Sequence, residues 1–330
     1  MSALQHFPVA RYTLDYQVDQ PIRLPDFAGS ALRGAFGHSL KRIACVTREP
    51  DCRACLLYRS CPYPAVFETP PPLTPTRRTF SQIPNPFVVE PPPLGAREYP
   101  SGDRLSFSLV LMGPALKQLP LVILAWQRAL SRGIGPGEGT AVLKRVEVEG
   151  HPGAVYDPEE GQIHPHPQSQ LVPAHAASTD SIHLEIQTPL RLQRDGHVLG
   201  VPKLEPHDLL MGLVRRIAYL CEFQLGTPLD ADFMGLNNLA ATIQGDKQLH
   251  WHDWTRYSAR QKQPMTLGGA MGSWTLRGEL TPFLPFLHLG QWLHAGKNAS
   301  FGLGRYVIVP DLADGPTSKS GEEGADESTE

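Results

Sequence analysis

The chain opens on alternation. Tyr12, Leu14, Tyr16 and Val18 are separated by Thr13, Asp15 and Gln17, the period of two that lines one face of a half-buried strand. From Ser30 to Ala44 the period lengthens: Leu32, Phe36, Leu40 and Ile43 share one helical face, and the opposite face gathers Ser30, Arg33, Gly34, His38, Lys41 and Arg42. Gly29, Gly34 and Gly37 each cost roughly 1 kcal/mol of helix propensity relative to Ala, which predicts close approach of another backbone, or of a ligand, to this helix. Alternation returns at Leu105, Phe107, Leu109 and Leu111. Ala115 to Arg132 reads as a helix built on Leu119, Val122, Ile123, Trp126 and Leu130, and GIGPGEG (Gly133 to Gly139) leads into the strand AVLKRVEVE. Residues 149 to 180, rich in Pro and His, predict a hairpin followed by a linker.

The second half repeats this order. LEIQTPLRL (Leu184 to Leu192) echoes LDYQVDQPIRL (Leu14 to Leu24), and HDLLMGLVRRI (His207 to Ile217) takes the place of the first helix. PFLPFLHLGQWLHA (Pro282 to Ala295), GKNASFGLG (Gly296 to Gly304) and RYVIV (Arg305 to Val309) then repeat helix, glycine-rich loop and strand. Each half therefore reads as βαββαβ, and the fold class is α+β: tandem ferredoxin-like, RRM-like domains. The expected organisation is an N-terminal domain over 1–148 with a cysteine-rich insertion at about 45–80, a hairpin and linker over 149–180, a C-terminal domain over 181–310, and an acidic disordered tail over 311–330.

A chain of 330 residues, 41% hydrophobic and 19% charged, holds apolar material for roughly two domains and is no coiled coil, collagen or disordered polymer. Its net charge of −3 speaks against nucleic acid until the tail is separated: residues 311–330 hold seven acids and one base, so residues 1–310 carry +3. The start MSALQHFPVARYTL lacks a charged stretch followed by an apolar one, no apolar run reaches the length of a membrane span, and a cytoplasmic location is expected. Four of the five cysteines, Cys45, Cys52, Cys55 and Cys61, form CX6CX2CX5C directly after the first helix. In a reducing compartment this spacing points to a structural metal held by four thiolates, zinc first and an iron-sulfur cluster second, against the plain alternative of free cysteines. Cys221 reads as a lone buried helix residue.

The glycine loops follow a helix and precede a strand, the reverse of the strand-to-helix order that sets a phosphate on a helix N-terminus. They read either as turns closing each unit or as places where glycines such as Gly302 and Gly304 let a phosphate chain approach, with Lys297, Asn298 and Ser300 as donors.

The tandem plan ending in a glycine-rich loop resembles the RAMP superfamily of CRISPR-associated proteins. The segments WHDWTRYSARQ (Trp251 to Gln261), LGGAMG (Leu267 to Gly272) and HAGKNASFGLGRYVI (His294 to Ile308), with GSALRGAFGHSLKRIAC (Gly29 to Cys45), resemble the CRISPR precursor-RNA processing endoribonucleases, the repeat-cleaving Cas six type. The resemblance implies an enzyme that binds CRISPR repeat RNA and cuts it once per repeat to make guide RNAs. It implies attack by a 2′-hydroxyl with no metal in the chemistry, leaving 2′,3′-cyclic phosphate and 5′-hydroxyl ends. Its histidine on or near the first helix corresponds to His38, with Lys41 and Arg33 to supply charge; a solvated helix histidine is the plain alternative. His294 is the rival, able to face RNA from before the loop unless it only caps its helix. Arg256, Tyr257, Arg260 and Gln261 combine cations with a stacking ring, and Arg42 adds a further phosphate contact; ordinary surface charge on a strand edge is the other reading. Arg215 and Arg216 are less specific candidates. The partners implied are repeat or guide RNA and other subunits of a CRISPR effector complex, without a membrane. A guide-holding subunit that does not cut RNA is the alternative function. Removal of residues 311–330 is expected to leave the thermal midpoint and repeat cleavage unchanged, and loss of either would show that the tail is more than a solvated appendage.

Overall fold

Strand β1 (Val9–Val18) is the centre of the first sheet, because both of its edges hydrogen-bond to a neighbouring strand. The computed structural model describes residues 4, 6–71, 83–171, 179–258 and 263–309. With β2 (Phe87–Glu90), β3 (Arg104–Met112), β4 (Ala141–Val148) and β5 (Ala154–Tyr156), β1 forms an antiparallel sheet in the order β2-β3-β1-β4-β5. Helix α1 (Gly29–Ala44) follows β1, a short helix α2 (Pro62–Phe67) lies after the cysteines, and α3 (Leu119–Arg132) joins β3 to β4. Phe36 of α1 stacks on Trp126 of α3 at 5.0 Å, and Trp126 leans on Phe107 of β3 at 4.8 Å, so both long helices cover one face of this sheet.

The second unit has the same plan. Strands β6 (Ser181–Leu190), β7 (Gln244–Ser258), β8 (Gln263–Arg277) and β9 (Tyr306–Val309) lie in the order β7-β8-β6-β9. Helices α4 (Pro206–Gln224), α5 (Phe233–Ala240) and α6 (Leu284–Leu293) complete it. In both sheets the first strand of the unit lies between its third and fourth, the ferredoxin-like arrangement. The helix expected from Ala115 begins as a 3-10 turn over Gly113–Gln118, and α3 proper starts at Leu119. Pro120 explains the shift, since its ring suits a first helical turn and breaks an interior. His6–Phe7 pairs with Gln170–Leu171, which ties the segment after β5 back to the start of the chain. The acidic tail and parts of the expected insertion and linker (72–82, 172–178, 310–330) lie outside the described residues. Among the described residues no helix is long and apolar enough to cross a membrane.

The two units meet at β2, which is buried along its whole length. Phe87 and Val89 enter the core of the first unit, while Val88, with Val9, Val110 and Met112, packs into the core of the second. Glu90 follows Val88 toward the second unit and is 2% exposed. It accepts from Arg11 Nε at 3.2 Å and faces His294 Nε2 at 2.9 Å, with Arg305 Nη1 at 3.8 Å. Arg11 also donates to Glu149 at 2.7 Å and to the carbonyl of Gln291 at 2.8 Å. Burial by itself would raise the pKa of Glu90, but the bond from His294 and the charges of His294, Arg11 and Arg305 outweigh it and bring it down from 4.5 to about 2. Burial pushes the pKa of His294 below 6.5; Glu90 opposes that shift, and Arg11 and Arg305 add to it.

Both groups therefore bind protons more readily in the unfolded chain. Their stabilising contribution is present above pH 6.5 and is lost as pH falls, first through the histidine range and then between 4.5 and about 2. Replacing Glu90 by Gln removes the buried carboxylate on which Arg11, His294 and Arg305 converge and is expected to cost about 3–5 kcal/mol. Denaturant unfolding from pH 7.5 down to pH 3 checks both, and a variant as stable as wild type at pH 7 would show that the cluster contributes little.

Candidate nucleic-acid interface

Helix α1 buries Leu32, Phe36 and Leu40 completely, and this orients what its other faces present. A side chain at Gly29 would strike the carbonyl oxygen of Phe301, and one at Gly37 would strike the ring of Phe67. These two glycines are explained by protein neighbours. Gly34 is different: nothing lies within 4 Å of where its Cβ would be. One turn later comes His38, and one further turn brings Arg42, both exposed. Positions four apart are neighbours on a helix surface, so Gly34, His38 and Arg42 form one strip about 12 Å long. The strip offers open backbone, then an imidazole, then a guanidinium, and the basic last turn suits the negative end of the helix dipole.

Arg33 and Lys41, expected to act with His38, are turned toward protein instead. The Arg33 guanidinium lies over the rings of Phe67 at 4.3 Å and Phe301 at 4.9 Å. Lys41 Nζ donates to the carbonyl of Pro50 at 3.1 Å and sits over the ring of Tyr63 at 5.7 Å. They fasten α1 to the cysteine-rich segment and to the glycine loop, and Arg42 is the cation that shares the open strip with His38.

The glycine-rich loop adjoins the start of α1. Lys297 is exposed while its backbone N–H donates to the carbonyl of Arg191 at 2.8 Å, Asn298 takes the left-handed conformation at φ 62°, and Ser300 is half-buried. Gly302 and Gly304 do not reach the surface. Their missing side chains make room for the carbonyls of Val89 and Ala295, so the close approach expected from these glycines is to protein and not to a phosphate chain. His294 is likewise corrected as a rival: it is fully buried against Glu90 and the Leu303 carbonyl and faces no solvent. Its φ of 58° ends α6 and turns the chain into the loop.

A third, small core of Phe27, Trp254, Leu267, Phe301 and Leu303 closes the seam between α1, the loop and the β7–β8 hairpin. Beside it His252 Nε2 lies 3.1 Å from Asp26 Oδ2, a half-buried pair that sequence reading missed. The partners are 226 positions apart, so no local pattern pairs them; their only signal is that Asp26 precedes Phe27, and His252 lies two residues before Trp254, both residues of the small core. The exposed Trp251 indole donates to Asp253 at 2.8 Å. Arg256 and Tyr257 stand on β7, the edge strand, opposite Met265 and Pro264, and Arg260 and Gln261 lie outside the described residues. Arg215 is exposed on α4, whereas Arg216 donates to the Leu293 carbonyl at 2.9 Å. The five cysteines are unpaired by disulfide, and Cys221 is buried in the second core. Cys45, Cys52, Cys55 and Cys61 line one cavity at the far end of α1. Among the described residues no three His, Cys, Asp or Glu side chains are drawn together as a metal site.

Comparison with known proteins extends this geometry. A family model described as an N-terminal domain matches residues 7–168, and the model of the CRISPR-associated endoribonuclease Cas6 matches residues 184–306. No curated protein matches the chain by sequence. Among solved structures, a product complex of Cas6 (TTHB231), a protein of Thermus thermophilus, is 16% identical and has a TM-score of 0.56, covering 91% of this chain and 99% of that one. A product complex of Cas6 (TTHA0078) is 18% identical with a TM-score of 0.51 over 91% and 99%. A chain of a partial Cas6-RT-Cas1–Cas2 complex is 14% identical with a TM-score of 0.57, covering 93% of this chain and 47% of that one. These identities establish a shared fold, tandem ferredoxin-like units over nearly the whole chain. The second unit, whose strands, helix and glycine loop build one side of the seam, is thus similar in sequence to the CRISPR-associated endoribonuclease Cas6, and the whole chain shares its fold with solved Cas6 proteins.

Proposed function

We propose that the chain binds CRISPR repeat RNA across the seam between α1 and the glycine-rich loop, and cleaves it beside His38 without a metal ion in the chemistry. The observation that carries this reading is the strip of Gly34, His38 and Arg42: an open stretch of helix backbone with an exposed proton-transfer group and an exposed cation in line. Histidine is the side chain suited to taking and returning a proton near neutral pH. Arginine supplies a charge that does not titrate and a fork that matches phosphate oxygens.

In the reaction the 2′-oxygen gives up its proton to the imidazole and attacks the adjacent phosphorus, so one P–O bond forms. The bond to the 5′-oxygen breaks in line, and that oxygen takes a proton. One strand then ends in a 2′,3′-cyclic phosphate and the other in a 5′-hydroxyl; no water is consumed. Arg42 offsets charge that builds on the phosphorane oxygens. Lys297 and the half-buried Ser300 offer donors to the RNA backbone on the far side of the seam, and the exposed Trp251 offers a stacking face to an unpaired base.

His38→Ala is expected to lower single-turnover cleavage of the cognate repeat by roughly 100-fold or more while leaving RNA affinity within about threefold. Cleavage at the wild-type rate would remove His38 from the chemistry. The reaction is expected to proceed with EDTA added at its start and to yield a cyclic-phosphate product by mass spectrometry; a strict magnesium requirement or a 3′-hydroxyl product would contradict the mechanism.

Gly34→Leu separates stability from function. Because the site is open and leucine is the better helix former, stability is expected to rise by about 0.5–1 kcal/mol, while cleavage falls because the side chain occupies the approach to His38. A variant as active as wild type would show that RNA does not come close to this helix.

A further inference from the structure

The segment from Cys45 to Cys61 carries little that would hold it in shape. Its only regular element is a single 3-10 turn, Cys52–Ala54, and Val46 and Leu56 point outward at 77% and 87% exposure. Connections of this length without secondary structure are uncommon in compact domains, and small substructures lacking a core are held by disulfides or metal. No disulfide is present. Yet all four cysteines of the segment line the same cavity, of about 20 Å³, room for roughly one water or one ion.

The details around Cys55 suit a thiolate. The backbone N–H of Leu57 points at Cys55 Sγ from 3.4 Å, and the Thr47 hydroxyl lies 3.3 Å from Cys55 Sγ and 4.0 Å from Cys45 Sγ. One hydroxyl therefore lies near two sulfurs ten positions apart in the segment. The Cys52–Cys55 turn, closed by the Cys55 N–H to the Cys52 carbonyl at 3.2 Å, sets Cys52 beside Cys55 on one tight bend. Cys45 itself ends α1, its N–H bonded to the Lys41 carbonyl.

We propose that Cys45, Cys52, Cys55 and Cys61 bind one zinc ion as a tetrahedral four-thiolate site that clamps the end of α1. The four sulfurs surround the cavity without converging on a point, and four Zn–S bonds of about 2.3 Å would draw them inward as each thiol releases its proton to solvent. The set is wholly sulfur, which favours zinc over harder divalent ions. The ion's role is structural: it touches no reacting atom and fixes the turn of α1 that carries Arg42.

The test reads metal and thiols, not RNA, so its failure is distinct from failure of the cleavage mechanism. Full-length protein purified without chelator is analysed for elements and for reactive thiols before and after removal of metal. One zinc per chain is expected, with the four thiols protected until the metal is removed. Cobalt substitution is expected to give the intense thiolate-to-cobalt absorption of a tetrahedral sulfur site. Cys55→Ser is expected to lose both the metal and thermal stability, Cys55→His to retain metal, and Cys221→Ser to retain it fully. Metal-free protein with freely reactive thiols, iron with acid-labile sulfide, or an unchanged cobalt spectrum in Cys55→His and Cys55→Ser alike would each overturn the proposal.

Discussion

A single buried carboxylate sets the relation between the two halves of this protein. Glu90 sits at the end of a strand that belongs by hydrogen bonding to the first unit and by side-chain packing to both. Burying a charge is costly unless it is paired and bonded. Glu90 is matched by Arg11 from its own sheet and by His294 and Arg305 from the second unit. Removing Glu90 takes away the one carboxylate on which groups from both units converge, so the arrangement favours one docking of the two units over others that would bury a similar apolar area.

That docking determines where the functional residues fall. His294 ends α6 and starts the glycine loop, so holding His294 against Glu90 also holds the loop. Gly302 then lies against the Val89 carbonyl, one residue before Glu90, and Phe301 meets Gly29 and Arg33 at the start of α1. A continuous set of contacts runs from the buried carboxylate through the loop to α1. His38 and Arg42 lie farther along the same helix, whose far end adjoins the cysteine cavity. The helix is thus positioned at its first turn by the second unit and at its last turn by the cysteine-rich segment.

Much of this was legible in the sequence, and the parts that were not share a cause. The alternation of Tyr12, Leu14, Tyr16 and Val18 and the spacing of Leu32, Phe36 and Leu40 are local patterns, and they marked β1 and α1 with small errors at the ends. Strand β2 escaped because Phe87, Val88 and Val89 are consecutive and buried on both faces, which erases the period of two. The Glu90–His294 and Asp26–His252 pairs join residues more than two hundred positions apart, and composition carries no sign of them. Gly302 and Gly304 show a second limit: a glycine marks close approach without saying what approaches, and here it is the chain's own backbone. Among the polar residues of α1, periodicity grouped Arg33, His38, Lys41 and Arg42, but only packing separates the two that hold protein from the two that face solvent.

The buried Glu90 cluster aligns α1 with the glycine loop, the two sides of the proposed RNA surface. Repeat-RNA affinity of Glu90→Gln, measured at pH 7 at a temperature where circular dichroism shows both units folded, tests it most directly. A loss of roughly tenfold or more, about 1.4 kcal/mol, is expected, with secondary structure retained. Wild-type affinity in a folded variant would contradict it, because the interface would then form without the interaction that is held to align its two sides.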